Sequence, residues 1–158
     1  MDPSIEAQII KNLYESARTL ATAESCSGGL IAHRLTNVPG ASTPFLGGVV
    51  AYSNGVKSSV LNVPEETLNV YGAVSQQTAL AMAEGARERF VVDFALSVTG
   101  IAGPGGGTEE KPVGLVYMAV ARKGASEVVR HEFSGDRTAI KAQTAEAALA
   151  LLWENMSK

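Results

Sequence analysis

The sequence has a single cysteine, Cys26, and only two histidines, His33 and His131. One cysteine closes no internal disulfide, and one thiol with two imidazoles cannot build a cysteine-rich zinc site. Both facts point to a reducing, cytoplasmic setting and to chemistry without a metal. Charge is scarce as well, at 18% of 158 residues, with 13 Lys and Arg against 16 Asp and Glu for a net charge of −3. Without clustered Lys or Arg the chain lacks the electrostatic footprint of a nucleic-acid or anionic-membrane binder. No run approaches the ~20 apolar residues that span a bilayer, and the amino terminus lacks the basic start and apolar core of a secretory signal. Low charge combined with 46% hydrophobic residues excludes disorder. A chain of this length buries about 70% of its unfolded surface, enough for one core without staples.

Several local motifs are missing too. There is no G-x-x-x-x-G-K-[ST], so a P-loop hydrolase is not expected, and no G-x-G-x-x-G opens a helix. G-x-S-x-G is absent, and S-x-x-K fails at both Ser25 and Ser53, because Gly28 and Val56 occupy the fourth positions. What the chain has instead is glycine. Of 16, nine fall in three clusters: Gly28-Gly29, Gly47-Gly48, and Gly100, Gly103, Gly105, Gly106 and Gly107.

Ile5, Ile9, Ile10 and Leu13 recur at helical spacing and predict an amphipathic helix over 5–17. Leu20 to Glu24 reads as a strand that Ser25 ends, with Ser27-Gly28-Gly29 opening a second helix that Pro39-Gly40 stops. Leu46 to Tyr52 predicts a buried strand, followed by a turn at Ser53-Asn54-Gly55 and a short helix carrying Lys57. Pro64 to Leu68 suits a short helix, and Ser75 is placed to N-cap an Ala-rich helix through Phe90. Phe94 to Val98 predicts a strand, 114–121 and 127–133 a hairpin, and Asp136 to Asn155 a closing helix. Strands that alternate with helices and then pair as a hairpin predict an α/β fold, with a mixed sheet covered by helices on both faces.

Ser25-Cys26-Ser27-Gly28-Gly29, between a strand and a helix, reads either as a cap with packing glycines or as an anion or oxyanion site. A serine nucleophile needs a proton acceptor, and Lys57, His33 and His131 are the candidates. Lys57 follows an apolar strand, where burial would make it a base, yet a lone lysine also suits a solvated surface. Cys26 reads as a small buried hydrophobe or as a thiol activated at a helix start. Arg137 suits either a phosphate contact or a surface pair with Asp136 or Glu132, and Tyr52 either positions the base or packs. The Gly-rich stretch 100–107 reads as a binding loop and Glu109-Glu110-Lys111 as a solvated turn, while Gly47-Gly48, inside a strand, permits close packing.

Six blocks occur in order: Thr22-Ala-Glu-Ser-Cys-Ser-Gly-Gly29, Tyr52-Ser-Asn-Gly-Val-Lys57, Gly72-Ala-Val-Ser75, Ser97-Val-Thr-Gly-Ile-Ala-Gly-Pro104, Glu109-Glu-Lys-Pro-Val-Gly114 and Phe133-Ser-Gly-Asp-Arg137. Together they closely resemble the C-terminal domain of the CinA family over about residues 5–155. That resemblance implies one domain over 1–158, folded as a three-layer α/β/α unit. It implies hydrolysis of the carboxamide of nicotinamide mononucleotide to nicotinate mononucleotide and ammonia, without cofactor or metal. Ser25 is then the nucleophile, Lys57 the general base, and Tyr52 and Asn54 orient the base or the amide. Backbone groups near Ser27, Gly28 and Gly29, or near Gly100, hold the oxyanion. Thr99 and the loop with Gly100, Gly103 and Gly105 cover ribose and phosphate, with Arg137 on the phosphate. Larger family members carry a further N-terminal domain resembling molybdopterin-binding proteins, and the activity associated with it is not expected here. A homo-oligomer, dimer or larger, is implied as well. A rival reading is a nucleotide- or phosphate-binding regulatory module, linked to competence or DNA damage, that cleaves no bond. A weaker third is a cysteine hydrolase using Cys26.

Overall fold

Five strands form one sheet in the order β2-β1-β3-β4-β5, and the computed structural model describes all 158 residues. β1 (Leu20–Glu24), β2 (Phe45–Val50) and β3 (Phe94–Gly100) run parallel, while β4 (Leu115–Arg122) and β5 (Ala125–Glu132) are antiparallel to their neighbours. The sheet is therefore mixed, as expected. α1 (Ile5–Glu15), α2 (Leu30–Thr36) and α6 (Arg137–Asn155) cover one face; α3 (Asn54–Leu61), α4 (Glu65–Tyr71) and α5 (Gln76–Phe90) cover the other. This is a three-layer α/β/α arrangement.

The two faces are packed differently. The first carries the large core, in which Ile9, Leu13, Ile31 and Leu35 meet Leu96, Val98, Met118 and Leu149, all fully buried. Arg34 ties the three helices of that face, bonding Glu6 at 2.8 Å and Glu146 at 2.8 Å, and the guanidinium holds the Glu6 carboxyl below its usual range. On the second face the strands present small residues, Ala21, Ala23, Ala95, Ala119 and Ala121, to Ala79, Met82, Ala83 and Ala86 of α5. Small side chains on both sides bring helix and sheet close. The approach extends to α3, where a Cβ added at Gly85 would overlap the Leu61 carbonyl oxygen. Gly85→Ala is accordingly expected to cost at least about 2 kcal/mol by overpacking, read as a lowered urea midpoint.

Helix starts follow the sequence closely. Ser4, Ser53, Ser75 and Asp136 each accept the backbone N–H three residues on. Some boundaries moved. The expected turn at 53–55 is the cap and first turn of α3, because the Ser53 side chain accepts from Val56 N and draws the chain into helix at once. α2 starts only at Leu30, since Gly28 (φ +62°) and Gly29 (φ +101°) hold left-handed backbone that a helix cannot include, and it ends at Thr36, ahead of Pro39-Gly40. Gly47 and Gly48 permit close packing: a Cβ would press Phe90 at the first and overlap the Thr22 hydroxyl at the second.

The connections from β1 leave in opposite senses. One passes through α2 on the first face to β2, and the return to β3 runs through α3, α4 and α5 on the second. Such a reversal opens a crevice beyond the carboxyl ends of the parallel strands.

Candidate active site

Three chain segments meet in that crevice. Ser25 follows β1, Tyr52 to Lys57 follow β2, and Thr99-Gly100 end β3 before the glycine-rich loop. A cavity of about 280 Å³ opens among them, lined by Ser25, Tyr52, Asn54, Lys57, Thr99 and Arg137, with Gly100 to Gly103, Gly105 and Gly106 from the loop. That is near the small end of ligand pockets, which start at ~300 Å³.

Lys57 is held in the fourth helical position of α3, directly after the Ser53 cap, and its side chain turns back under the strand ends with 1% exposure. Its Nζ lies 3.1 Å from Ser25 Oγ and donates to the Tyr52 carbonyl at 3.3 Å. No carboxylate pairs with it. Burial holds the amine below the ordinary lysine value of 10.5, because an ammonium without a counter-charge is costly to desolvate. The two residues are 32 apart in sequence, and the parallel pairing of Glu24 with Val50, continued by the bond from Ala51 N to Glu24 O, sets them level.

Arg137, the first residue of α6, closes the cavity's far side. One guanidinium nitrogen donates to Gly103 O at 2.7 Å and another to Tyr52 Oη at 2.7 Å. Tyr52 thus meets Lys57 through its carbonyl and Arg137 through its hydroxyl. The Thr99 hydroxyl is turned to Ala73 O at 2.7 Å, which fixes another part of the wall. Asn54, Gly100, Gly103 and Gly105 are in the wall as well.

Ser27, Gly28 and Gly29 are placed differently from the sequence reading, because none of them lines the cavity. The Ser27 hydroxyl is fully buried and donates to Glu24 Oε1 at 2.6 Å, and the Gly28 amide is taken by Ser25 O at 3.1 Å. The amides of Cys26, Ser27 and Gly29 have no acceptor in the chain, and of these three residues only Cys26 lines the cavity, so its amide is the oxyanion donor this loop offers. Glu24 is the residue the sequence reading missed. Its buried carboxylate accepts from Ser27 Oγ, from Ile31 N at 2.9 Å and from Ala32 N at 3.0 Å, and so caps α2 from the preceding strand. The signal was a lone acid ending an otherwise apolar strand.

His33 is exposed on α2, and His131 stacks on Phe133 in β5, so neither lines the cavity. Cys26 does line it, but burial pushes the thiol up to about 12. Iodoacetamide at pH 8 is therefore expected to leave Cys26 unlabelled in the native protein and to label it in urea, as read by mass spectrometry. A larger groove of about 510 Å³ lies between α5 and the β4–β5 hairpin. Its charges are Glu84, Glu88, Arg87 and Arg122, and it holds no lysine or histidine base.

A family model for the CinA C-terminal domain matches residues 2–156. The chain belongs to the CinA C-terminal domain family. A competence-damage inducible protein of Moorella thermoacetica is 54% identical over 138 residues, which covers 87% of this chain and 33% of that protein. A counterpart from Caldicellulosiruptor bescii is 53% identical over 148 residues, covering 94% and 36% respectively. The chain thus spans about a third of the length of these curated CinA relatives. Among solved structures, the competence/damage inducible protein CihA of Agrobacterium tumefaciens superposes with a TM-score of 0.89 at 43% identity, covering 98% of this chain and 97% of that one. The competence damage-inducible protein A of Klebsiella pneumoniae superposes at 0.93 and 35%, covering 97% and 95%. The CinA fold is shared over nearly the whole chain.

Proposed function

We propose that the chain is an amidohydrolase that converts the carboxamide of nicotinamide mononucleotide to the carboxylate, releasing ammonia, with Ser25 and Lys57 as its catalytic pair. The observation that carries this reading is a buried lysine amine, without a counter-ion, 3.1 Å from a serine hydroxyl in the wall of a ligand-sized cavity. A neutral amine can accept the Ser25 proton while still donating to Tyr52 O, which aims its lone pair.

Ser25 Oγ attacks the amide carbon as its proton passes to Lys57, and the carbonyl oxygen becomes an oxyanion facing the Cys26 amide. Protonated Lys57 gives its proton to the leaving nitrogen, the C–N bond breaks, and ammonia departs from an acyl ester on Ser25. Water, deprotonated by Lys57, attacks that ester; the carboxylate leaves and Ser25 regains its proton. Arg137 supplies a fork of donors for the phosphate, and the Gly100 to Gly106 backbone allows close approach.

The test is ammonia release by the purified chain from nicotinamide mononucleotide, nicotinamide riboside and nicotinamide. Turnover that is fastest on the mononucleotide supports the reading. Calorimetric binding of the mononucleotide without ammonia would overturn it in favour of a regulatory module.

Acid should switch the reaction off. Because the folded amine titrates below 10.5, neutral Lys57 accumulates as pH rises through that lowered value. The acid limb of log kcat/KM is expected to climb with unit slope and to bend below pH 10.5. A flat profile across the range in which the protein stays folded would remove the base.

A further inference from the structure

Lys141 is a cation with no explained purpose. It lies four residues after Arg137, so the two side chains share one face of the first turns of α6, with Arg137 in the cavity wall and Lys141 just outside it. Arg137 reaches the Gly103 and Tyr52 side of the cavity, and Lys141 reaches the loop that carries the nucleophile. A Cβ built on Gly28 would stand 3.5 Å from Lys141 Nζ, so the ammonium rests against bare backbone. Although Lys141 is partly buried, its Nζ has neither a carboxylate partner nor a hydrogen-bond acceptor in the chain. The charge is felt at Cys26 in the cavity wall, where it favours the thiolate form.

The charges around this loop do not balance. Arg137 and Lys141 are cations, and Lys57 adds none when neutral. The carboxylate nearest in sequence, Glu24, is buried and engaged by three donors of α2 and its approach. The unpaired Cys26 and Ser27 amides add further positive potential on the same loop. A half-buried cation without an acceptor, beside a loop that carries unpaired amides, calls for an anion that the chain itself does not supply.

We propose that Lys141 is the second cation of the phosphate subsite, beside Arg137 on α6, and that it sets the preference for a phosphorylated over an unphosphorylated substrate. The inference rests on the amidase reading for its substrate, but the anion subsite can be tested apart from it. Lys141 is a positioning residue: it holds the phosphate end while the amide lies at Ser25.

Lys141→Met and Lys141→Arg separate charge from bulk. In Lys141→Met the KM for nicotinamide mononucleotide is expected to rise roughly tenfold with kcat within about twofold, the size of effect typical of one charge-assisted contact. The ratio of kcat/KM for the mononucleotide over the riboside falls by the same factor, and Lys141→Arg restores most of it. A second readout needs no turnover. Inorganic phosphate and pyrophosphate are titrated against the melting temperature of the full chain at fixed ionic strength. The stabilisation expected in wild type is lost in Lys141→Met, while chloride at matched ionic strength stabilises neither. If Lys141→Met keeps both the wild-type KM and the wild-type phosphate stabilisation, the proposal is wrong. If wild type releases no ammonia but loses its phosphate stabilisation on Lys141→Met, the amidase reading fails and the subsite stands.

Discussion

Ser25→Ala is expected to lower ammonia release from nicotinamide mononucleotide by at least ~10³-fold, the scale on which removing a serine nucleophile acts. Loss of one oxygen leaves the fold intact, because no other side chain in the structure depends on Ser25 Oγ except Lys57. Lys57→Met should do as much, since the Ser25 hydroxyl then has no acceptor for its proton. Because the two act as a unit, the double variant should be no slower than either single one. Stability supplies an independent sign. Lys57 is 1% exposed and lacks a counter-charge, and its lowered pKa reports the desolvation it suffers. A thioether of similar length removes that cost, so Lys57→Met should melt no lower than wild type while being inactive. The gain is largest below the lowered pKa, where the folded protein must either bury an ammonium or give up the proton that the unfolded chain keeps. It fades as pH rises toward 10.5, where the unfolded lysine also becomes neutral. Wild-type rates in either single variant would sink the pair.

Glu24→Gln carries the second large effect, on stability first and activity second. Three donors converge on this carboxylate: Ser27 Oγ, Ile31 N and Ala32 N. An amide offers one acceptor oxygen and turns an NH2 group toward donors, leaving at least one of them buried and unpaired. The α2 amino terminus also loses its counter-charge. The expected cost is about 3 kcal/mol, as for breaking a buried charged hydrogen-bond set, with a fall in melting temperature of roughly 10 °C for a domain of this size. The rate should fall as well, since Glu24 holds the loop that carries the Cys26 and Ser27 amides beside Ser25. Glu24→Asp tests the geometry: it keeps the charge but shortens the reach by one methylene. A denaturation midpoint for Glu24→Gln indistinguishable from wild type would show that the carboxylate is not the cap of α2.

Much of the scaffold was legible because local physics dictates it. β1 runs Leu20–Glu24 as its apolar composition indicates, Ser75 caps α5 as expected, and the closing helix predicted from Asp136 starts one residue on, with Asp136 as its cap. The strand-turn-helix reading of 20–38 was sound in outline, but it overextended α2 at both ends. Periodicity does not reveal that Gly28 and Gly29 are both left-handed. The glycine clusters divide by role. Gly100, Gly103, Gly105 and Gly106 face the cavity, whereas Gly28, Gly29, Gly47 and Gly48 serve backbone conformation or close packing.

The candidate site was legible in its membership more than in its geometry. Ser25, Lys57, Tyr52, Asn54, Thr99 and Arg137 were all singled out, and all line one cavity. Glu24 was read only as the end of a strand, because nothing local shows that the sheet and α2 bury its side chain. Lys141 was invisible because its significance depends on which turn of α6 faces Gly28. By itself the sequence determined the element types and the alternation that makes a mixed α/β sheet, which follow from local periodicity and composition, while the candidate site residues were named through the ordered blocks that resemble the CinA family. Only the tertiary structure decided that Ser25 and Lys57 meet at 3.1 Å, that the lysine is buried without a counter-charge, and that Ser27 faces Glu24 instead of a ligand. Those outcomes depend on the register of β1 against β2 and on which residues each helix covers, and contacts between residues 32 apart have no local signature.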